Sequence, residues 1–221
     1  MWIFLVSFLL CQSLFAESKA VNYPENKSGE TVESKTAESV ETELDQLRQQ
    51  FRDGKILEAQ MTHEFLDSYT GESQITEGRI WISQKKYKIQ AERQVVVVDG
   101  ETSRVYNEQQ NKLVISRYEQ AEDDFAPSRF FSDEEELYYV SEVIREEGIV
   151  IFVLKSEDPF EIFLEVRIML DMNLIPISVS AVDQMENILE TTLTEAGYLE
   201  YDDALFHLDY PNDAEIIDLR K

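Results

Sequence analysis

Side chains that could do chemistry are few and poorly grouped in this 221-residue chain. It holds two histidines, His63 and His207, one cysteine, Cys11, and 45 carboxylates against 20 Lys and Arg. A transition-metal or thiol centre needs several soft or imidazole ligands, and the histidines and cysteine are too few and too far apart to supply them. The carboxylates are so numerous that pairs at general acid–base distance arise by chance, so no pair points to hydrolysis. Asp123-Asp124 and the run Asp133 to Glu136 lack the spaced oxygen ligands and the glycine of a calcium loop, and they read as solvated charge. His63 alternates with apolar neighbours on what should be an inward strand face. It could therefore titrate near neutral pH, although a satisfied core or rim histidine fits the same pattern. His207 receives no role. The formal charge of −25 opposes nucleic acid and anionic membrane surfaces alike, and the best basic run is only Lys85-Lys86-Tyr87-Lys88. No catalytic residue, no metal and no cofactor is expected. The chemistry left to the chain is apolar burial.

The elements that would arrange such burial can be read in order. Trp2 to Leu10 is apolar except for Ser7, too short to span a bilayer as a helix but suited to a secretory signal cleaved near Ala16, which places the mature chain in the periplasm. Leu10 stands before Cys11 where lipoprotein processing wants a small residue, so Cys11 should leave with the signal, and residues 1–16 form the signal peptide. Residues 17–38 are Glu, Ser, Lys and Thr with too little apolar material to offset chain entropy, which predicts a disordered acidic tether. Its five acids and three lysines leave 40 acids and 17 bases elsewhere, so the acidity belongs to the domain at 39–221.

Within that domain Val40, Leu44, Leu47 and Phe51 recur at helical spacing, and Asp53-Gly54 closes the helix. The period then switches to two. Leu57, Ala59, Met61, His63 and Phe65 alternate with mostly polar neighbours, as do Ile80 and Ile82. Phe160, Ile162, Leu164, Val166, Ile168 and Leu170 form the longest alternation, with Phe163 and Met169 as exceptions. Turn signals at Asp99-Gly100, Asn107 to Asn111 and Glu147-Gly148 separate the strands. About eleven strands without a βαβ rhythm predict an antiparallel sheet with sequential neighbours paired. One good helix and a short helical stretch around Phe130 and Phe131 are all that is available to cover its apolar face. Two arrangements follow: a filled core, or a half barrel whose incompletely covered concave face leaves an apolar cavity suited to an acyl chain.

Gly78-Arg79-Ile80-Trp81-Ile82, Tyr87-Lys88-Ile89, Val95 to Val98 with Asp99-Gly100-Glu101-Thr102, and Val105-Tyr106-Asn107 resemble, in order and spacing, the outer-membrane lipoprotein carrier proteins of the LolA type. Ile177 to Gln184, Ala204 to Pro211 and Ile216-Ile217-Asp218 look like that family's last three strands, so the resemblance covers about residues 40 to 218. It implies an open antiparallel half barrel, mainly β, whose concave face is covered by an N-terminal helix and short lid helices. It also implies a monomeric periplasmic carrier that takes acylated lipoproteins from an ATP-driven inner-membrane release complex to an outer-membrane receptor. Matched residue by residue, Ile80, Ile82, Tyr87 and Ile89 fall on lipid-facing positions, Phe130 and Phe131 on the lid, and Leu44, Leu47 and Phe51 on the covering helix. By alternation Phe160, Ile162, Leu164, Val166 and Ile168 join the cavity wall. The family's lid-latching Arg before Pro is replaced by Gln84-Lys85, which would make a weaker latch. The alternative to transport is a lipid-binding or protein-docking module with the same fold and a filled core.

Overall fold

The computed structural model describes residues 37–119, 123 and 138–220, with side chains from residue 43 onward. The expectations placed on the signal segment, on most of the acidic tract and on Phe130 and Phe131 lie outside these residues. The helix α1 (Ala37–Arg52) forms where the apolar spacing predicts it and buries Leu44, Leu47 and Phe51. Gly54 ends it at φ 80°, with its amide donating to Phe51 O at 3.0 Å and the Lys55 amide donating to Gln50 O at 2.9 Å. That pair of bonds is the glycine-capped helix end in which a left-handed residue satisfies the last carbonyls.

Twelve strands follow: β1 (Ile56–Leu66), β2 (Ser73–Ile82), β3 (Tyr87–Ala91), β4 (Gln94–Val98), β5 (Thr102–Asn107), β6 (Lys112–Arg117), β7 (Tyr139–Glu146), β8 (Ile149–Lys155), β9 (Phe163–Asp171), β10 (Pro176–Asp183), β11 (Ile188–Leu199) and β12 (Glu215–Asp218). They form one open sheet in the order β12-β6-β5-β4-β3-β2-β1-β11-β10-β9-β8-β7. Consecutive neighbours run antiparallel as the turn signals predict. Two pairings break the sequential rule: β1 lies beside β11, and β12 pairs parallel with β6. Ala204 to Pro211, expected as a strand, instead begins within a 3-10 helix, Asp203–Phe206, whose N-cap Asp202 accepts the Ala204 amide at 2.9 Å. Gly78 is required by close approach: a Cβ there would stand 2.3 Å from Gln90 O on β3.

Register carries the inward parity from strand to strand. Tyr198, Leu57, Ile82, Tyr87 and Val98 form one row across β11, β1, β2, β3 and β4, and Ala59, Ile80, Ile89 and Val96 form the next. Ala181, Val166 and Leu154 continue the inner face through β10, β9 and β8. The stripe of α1 packs on this face, sharing one buried cluster with Leu57, Ala59, Ile80, Ile82, Val166 and Ile168. At about 1.5–3 kcal/mol per buried side chain, its three anchors contribute on the order of 6 kcal/mol. An ion pair between Arg145 of β7 and Glu43 of α1, 2.6 Å, links the helix to the edge strand.

The opposite face is not uniformly wet. Ile56, Trp81, Val97, Tyr106 and Leu113 form a second core on the outside of the β2–β6 half, capped by Phe206 and Leu208 of the C-terminal segment. Four consecutive valines, Val95 to Val98, serve both sides of β4, the continuous apolar run expected of a strand covered on two faces. Trp81 donates to Glu58 Oε1 at 2.9 Å, between the Arg79 guanidinium and the Lys88 ammonium at 5.6 and 5.5 Å from its ring. Lys88 Nζ donates to His207 O at 3.0 Å and Lys86 Nζ to Asp203 at 2.6 Å, tying the C-terminal segment to β3 and the turn before it.

Candidate functional site

The candidate site is the concave face, on which most of the sequence-assigned residues lie. Ile80 and Ile82 are buried against the covering helix's cluster, and Ile89 is half-buried between that cluster and a smaller one formed by Tyr87, Val96 and Val98. Val166 and Ile168 are fully buried on the same face, and Ile162 packs against it from the loop before β9.

Two wall residues are corrected. Phe160 stands 93% exposed in the loop between β8 and β9, and Leu164 is 45% exposed, whereas Phe163 is buried to 2%. For Leu164 the cause is a β-bulge. Asp183 pairs with Phe163 while the preceding residue, Val182, pairs with Glu165, so Leu164 is the extra residue and parity inverts before it. Alternation read backward from Val166 therefore assigns Leu164 to the wrong side, and Phe163, its apparent exception, belongs to the wall; Phe160 precedes the strand, in a turn where alternation does not hold.

Tyr87 holds a role that spacing did not reveal. Its hydroxyl donates to Asp123 Oδ2 at 2.7 Å, and its ring meets Tyr118 edge-on with centroids 6.3 Å apart. Burial pushes the phenol well above its ordinary pKa, and the Asp123 charge adds to this, so Tyr87 stays protonated and remains a donor. Asp123, read from the sequence as part of a solvated charge run, is thus tied to the concave wall. Gln84 and Lys85, the expected latch, sit in the turn between β2 and β3, where the Ser83 amide donates to Lys86 O at 2.8 Å; Gln84 is half-buried and Lys85 exposed.

His63 lies on the inner face of β1, its Nδ1 and Thr191 Oγ1 joined in a hydrogen bond of 2.9 Å. Burial lowers its pKa below 6.5, which favours the neutral ring. The Tyr198 ring packs edge-on against Phe51 at 6.0 Å, and burial, with Asp171 adding to it, raises the Tyr198 phenol. Among the described residues no group of three or more His, Cys, Asp or Glu is placed to hold a metal. No helix among them is long and apolar enough to cross a membrane. A recess of about 640 Å³ lies elsewhere, lined by Gly100, Thr102, Arg117, Tyr118, Asp218 and Arg220. Arg220 grips Asp218 there through two bonds while Arg117 Nε donates to the Arg220 carbonyl.

An open half barrel with an apolar concave face under one amphipathic helix is an architecture shared with known proteins. The family model for the outer membrane lipoprotein carrier protein LolA matches residues 54–209, and the chain belongs to that family. No curated protein sequence matches the chain significantly. Among solved structures it is similar to an uncharacterized conserved protein from Thermus thermophilus, with 14% identity, a TM-score of 0.53, and coverage of 81% of this chain and 99% of that one. A LolA superfamily protein from Nitrosomonas europaea aligns at 9% identity and TM-score 0.42, covering 79% and 99% of the two chains. A chain of the MucA/MucB complex of Pseudomonas aeruginosa aligns at 15% identity and TM-score 0.44, covering 77% and 61%.

Proposed function

We propose that this protein is a periplasmic carrier that shields lipoprotein acyl chains against its concave face, receiving them from an ATP-driven inner-membrane release complex and passing them to an outer-membrane receptor. The observation that carries the reading is that the inner rows of a LolA-family sheet are apolar, while the one described α-helix lies across them and buries, among its described side chains, Leu44, Leu47 and Phe51. Magnitudes make exchange feasible. Each buried methylene is worth about 0.8 kcal/mol, so a chain of about fifteen gains on the order of 12 kcal/mol. That exceeds the roughly 6 kcal/mol with which Leu44, Leu47 and Phe51 cover the wall. An entering acyl chain can therefore displace the helix stripe, and the stripe can reoccupy the wall after release.

The packing of Ile80 and Ile82 in one cluster with Leu44, Leu47 and Phe51 favours a second reading, a docking module whose core stays filled. The two separate on one experiment. Leu47→Cys and Ile80→Cys, introduced with Cys11→Ser and joined by a short bifunctional maleimide, hold the helix on the wall. A carrier binds a triacylated lipopeptide saturably before joining and loses that binding after it. Equal binding in both states, or none in either, would eliminate displacement as the mechanism. Ile82→Glu serves as an independent check, since it should abolish binding by charging the wall.

A further inference from the structure

Three loops at one end of the half barrel carry the most exposed large apolar groups among the described residues, Met172 excepted. Tyr69 in the β1–β2 loop is 96% exposed, Phe160 in the β8–β9 loop 93%, and Met185 in the β10–β11 loop 67%. The loops share a device: an aspartate two residues earlier accepts the tip residue's own amide. Asp67 accepts from Tyr69 at 2.9 Å, Asp158 from Phe160 at 2.9 Å and Asp183 from Met185 at 2.8 Å. The loops are also bonded to one another. Ser68 Oγ donates to Met185 O at 3.0 Å and the Ser68 amide to Asn187 Oδ1 at 3.1 Å, while Gln184 Nε2 donates to Glu161 O at 2.8 Å. The tips are therefore held on a joined rim, with little ordering entropy left to lose on binding.

We infer that this rim is a docking surface for a partner protein presenting a shallow apolar pocket ringed by Lys and Arg. Tyr, Phe and Met are the residue types enriched at interface centres. The charge around them selects the occupant. Residues 67–72, 156–162 and 183–187 contain seven carboxylates, Asp67, Glu72, Glu157, Asp158, Glu161, Asp183 and Glu186, and no Lys or Arg. An anionic bilayer or a second copy of this −25 chain meets like charge there, whereas a basic collar meets complementary charge and is steered onto the tips. The inference does not depend on what the concave face carries.

The test places a photo-crosslinking amino acid at position 160 of the full chain, in the cells that make it, with position 216 on the β12 edge as an exposed control. The expected result is one dominant adduct from position 160 and not from 216, whose crosslinked peptide combines apolar residues with Lys or Arg. Its yield should fall about tenfold in Tyr69→Ser/Met185→Ser and in Glu157→Lys/Glu186→Lys, both of which retain the parent melting temperature because the altered side chains lie exposed on surface loops and leave the three loop aspartates in place. The proposal is overturned by a dominant adduct to lipid or to a second copy, by a contact peptide without basic residues, by equal yields at both positions, by yields indifferent to the two variants, or by no adduct. Flotation with phosphatidylethanolamine–phosphatidylglycerol vesicles should leave the protein unbound. Binding to them that disappears in Tyr69→Ser/Phe160→Ser/Met185→Ser would assign the rim to membrane instead.

Discussion

The two halves of the sheet bury their surfaces differently. In the β2–β6 half both faces are covered: Tyr87, Val96 and Val98 inside, and Trp81, Val97, Tyr106 and Leu113 outside under Phe206 and Leu208. Across β1 and β8–β11 one face holds nearly all the apolar burial, and α1 lies on it and on Ile80 and Ile82 of the adjoining β2, while Arg167 and Leu164 face solvent. A strand sandwiched on both sides resists bending, because any movement opens two packed layers. A strand covered on one side can exchange its cover without losing its register. On the proposed function β3–β6 with the outer face of β2 act as a frame, and β1, β8–β11 and the inner face of β2 form the surface on which cover is exchanged.

Predictions that test this contrast begin with the frame. Phe206→Ala should cost about 3–5 kcal/mol in urea unfolding by opening a cavity in the outer core, and lipopeptide affinity should be unchanged in the folded fraction. Reduced affinity at full folding would show that the outer core is not a separate frame. Leu47→Ala should cost less, about 2–4 kcal/mol, and should tighten lipopeptide binding, because it weakens the cover with which cargo competes. A variant that is destabilised and also binds more weakly would place Leu47 in the cargo site itself. At the bulge, Phe163→Ala should destabilise by about 3 kcal/mol and Leu164→Ala by less than about 1 kcal/mol, the reverse of what alternation predicts.

That reversal shows where the sequence was informative. Helical spacing found Leu44, Leu47 and Phe51, and period two found the inner rows through Ile80, Ile82, Val166 and Ile168, because both patterns follow from backbone geometry and survive in any context. The bulge at Leu164 depends on how β9 meets β10, and alternation along one strand does not encode it. The only trace was Phe163, an apolar residue on the wet parity. The outer core was legible in principle from Val95 to Val98, whose unbroken run calls for cover on both faces, but its covering segment around Phe206 and Leu208 is remote in the chain. The Tyr87–Asp123 bond left no local trace either, since Asp123 sits among other acids and its partner reads as a wall aromatic. Tyr87→Phe should cost about 1–2 kcal/mol, and a double-mutant cycle with Asp123→Asn should recover a coupling of similar size. A coupling of zero would mean that the bond contributes nothing in solution.

The smallest effect belongs to His63 and separates the inner face from the surface by pH alone. The flanking positions across the register are Thr76 and Thr191, neither of which carries charge, so burial alone sets the direction of the shift. Its folded pKa lies below the unfolded value of 6.5. Above pH 6.5 the ring is neutral in both states and contributes no pH dependence. As the pH falls through 6.5 the unfolded chain takes up the proton first, so stability declines down to the lower folded pKa and then levels off, with a slope below about 1.4 kcal/mol per pH unit. His63→Asn should remove that decline, whereas His207→Asn, altering an exposed ring, should leave it in place. Chemical denaturation from about pH 7 to about pH 5 measures both. If the decline survives in His63→Asn and vanishes in His207→Asn, the proton is taken up at the surface, and the inner face of β1 is not the apolar environment that displaceable cover requires.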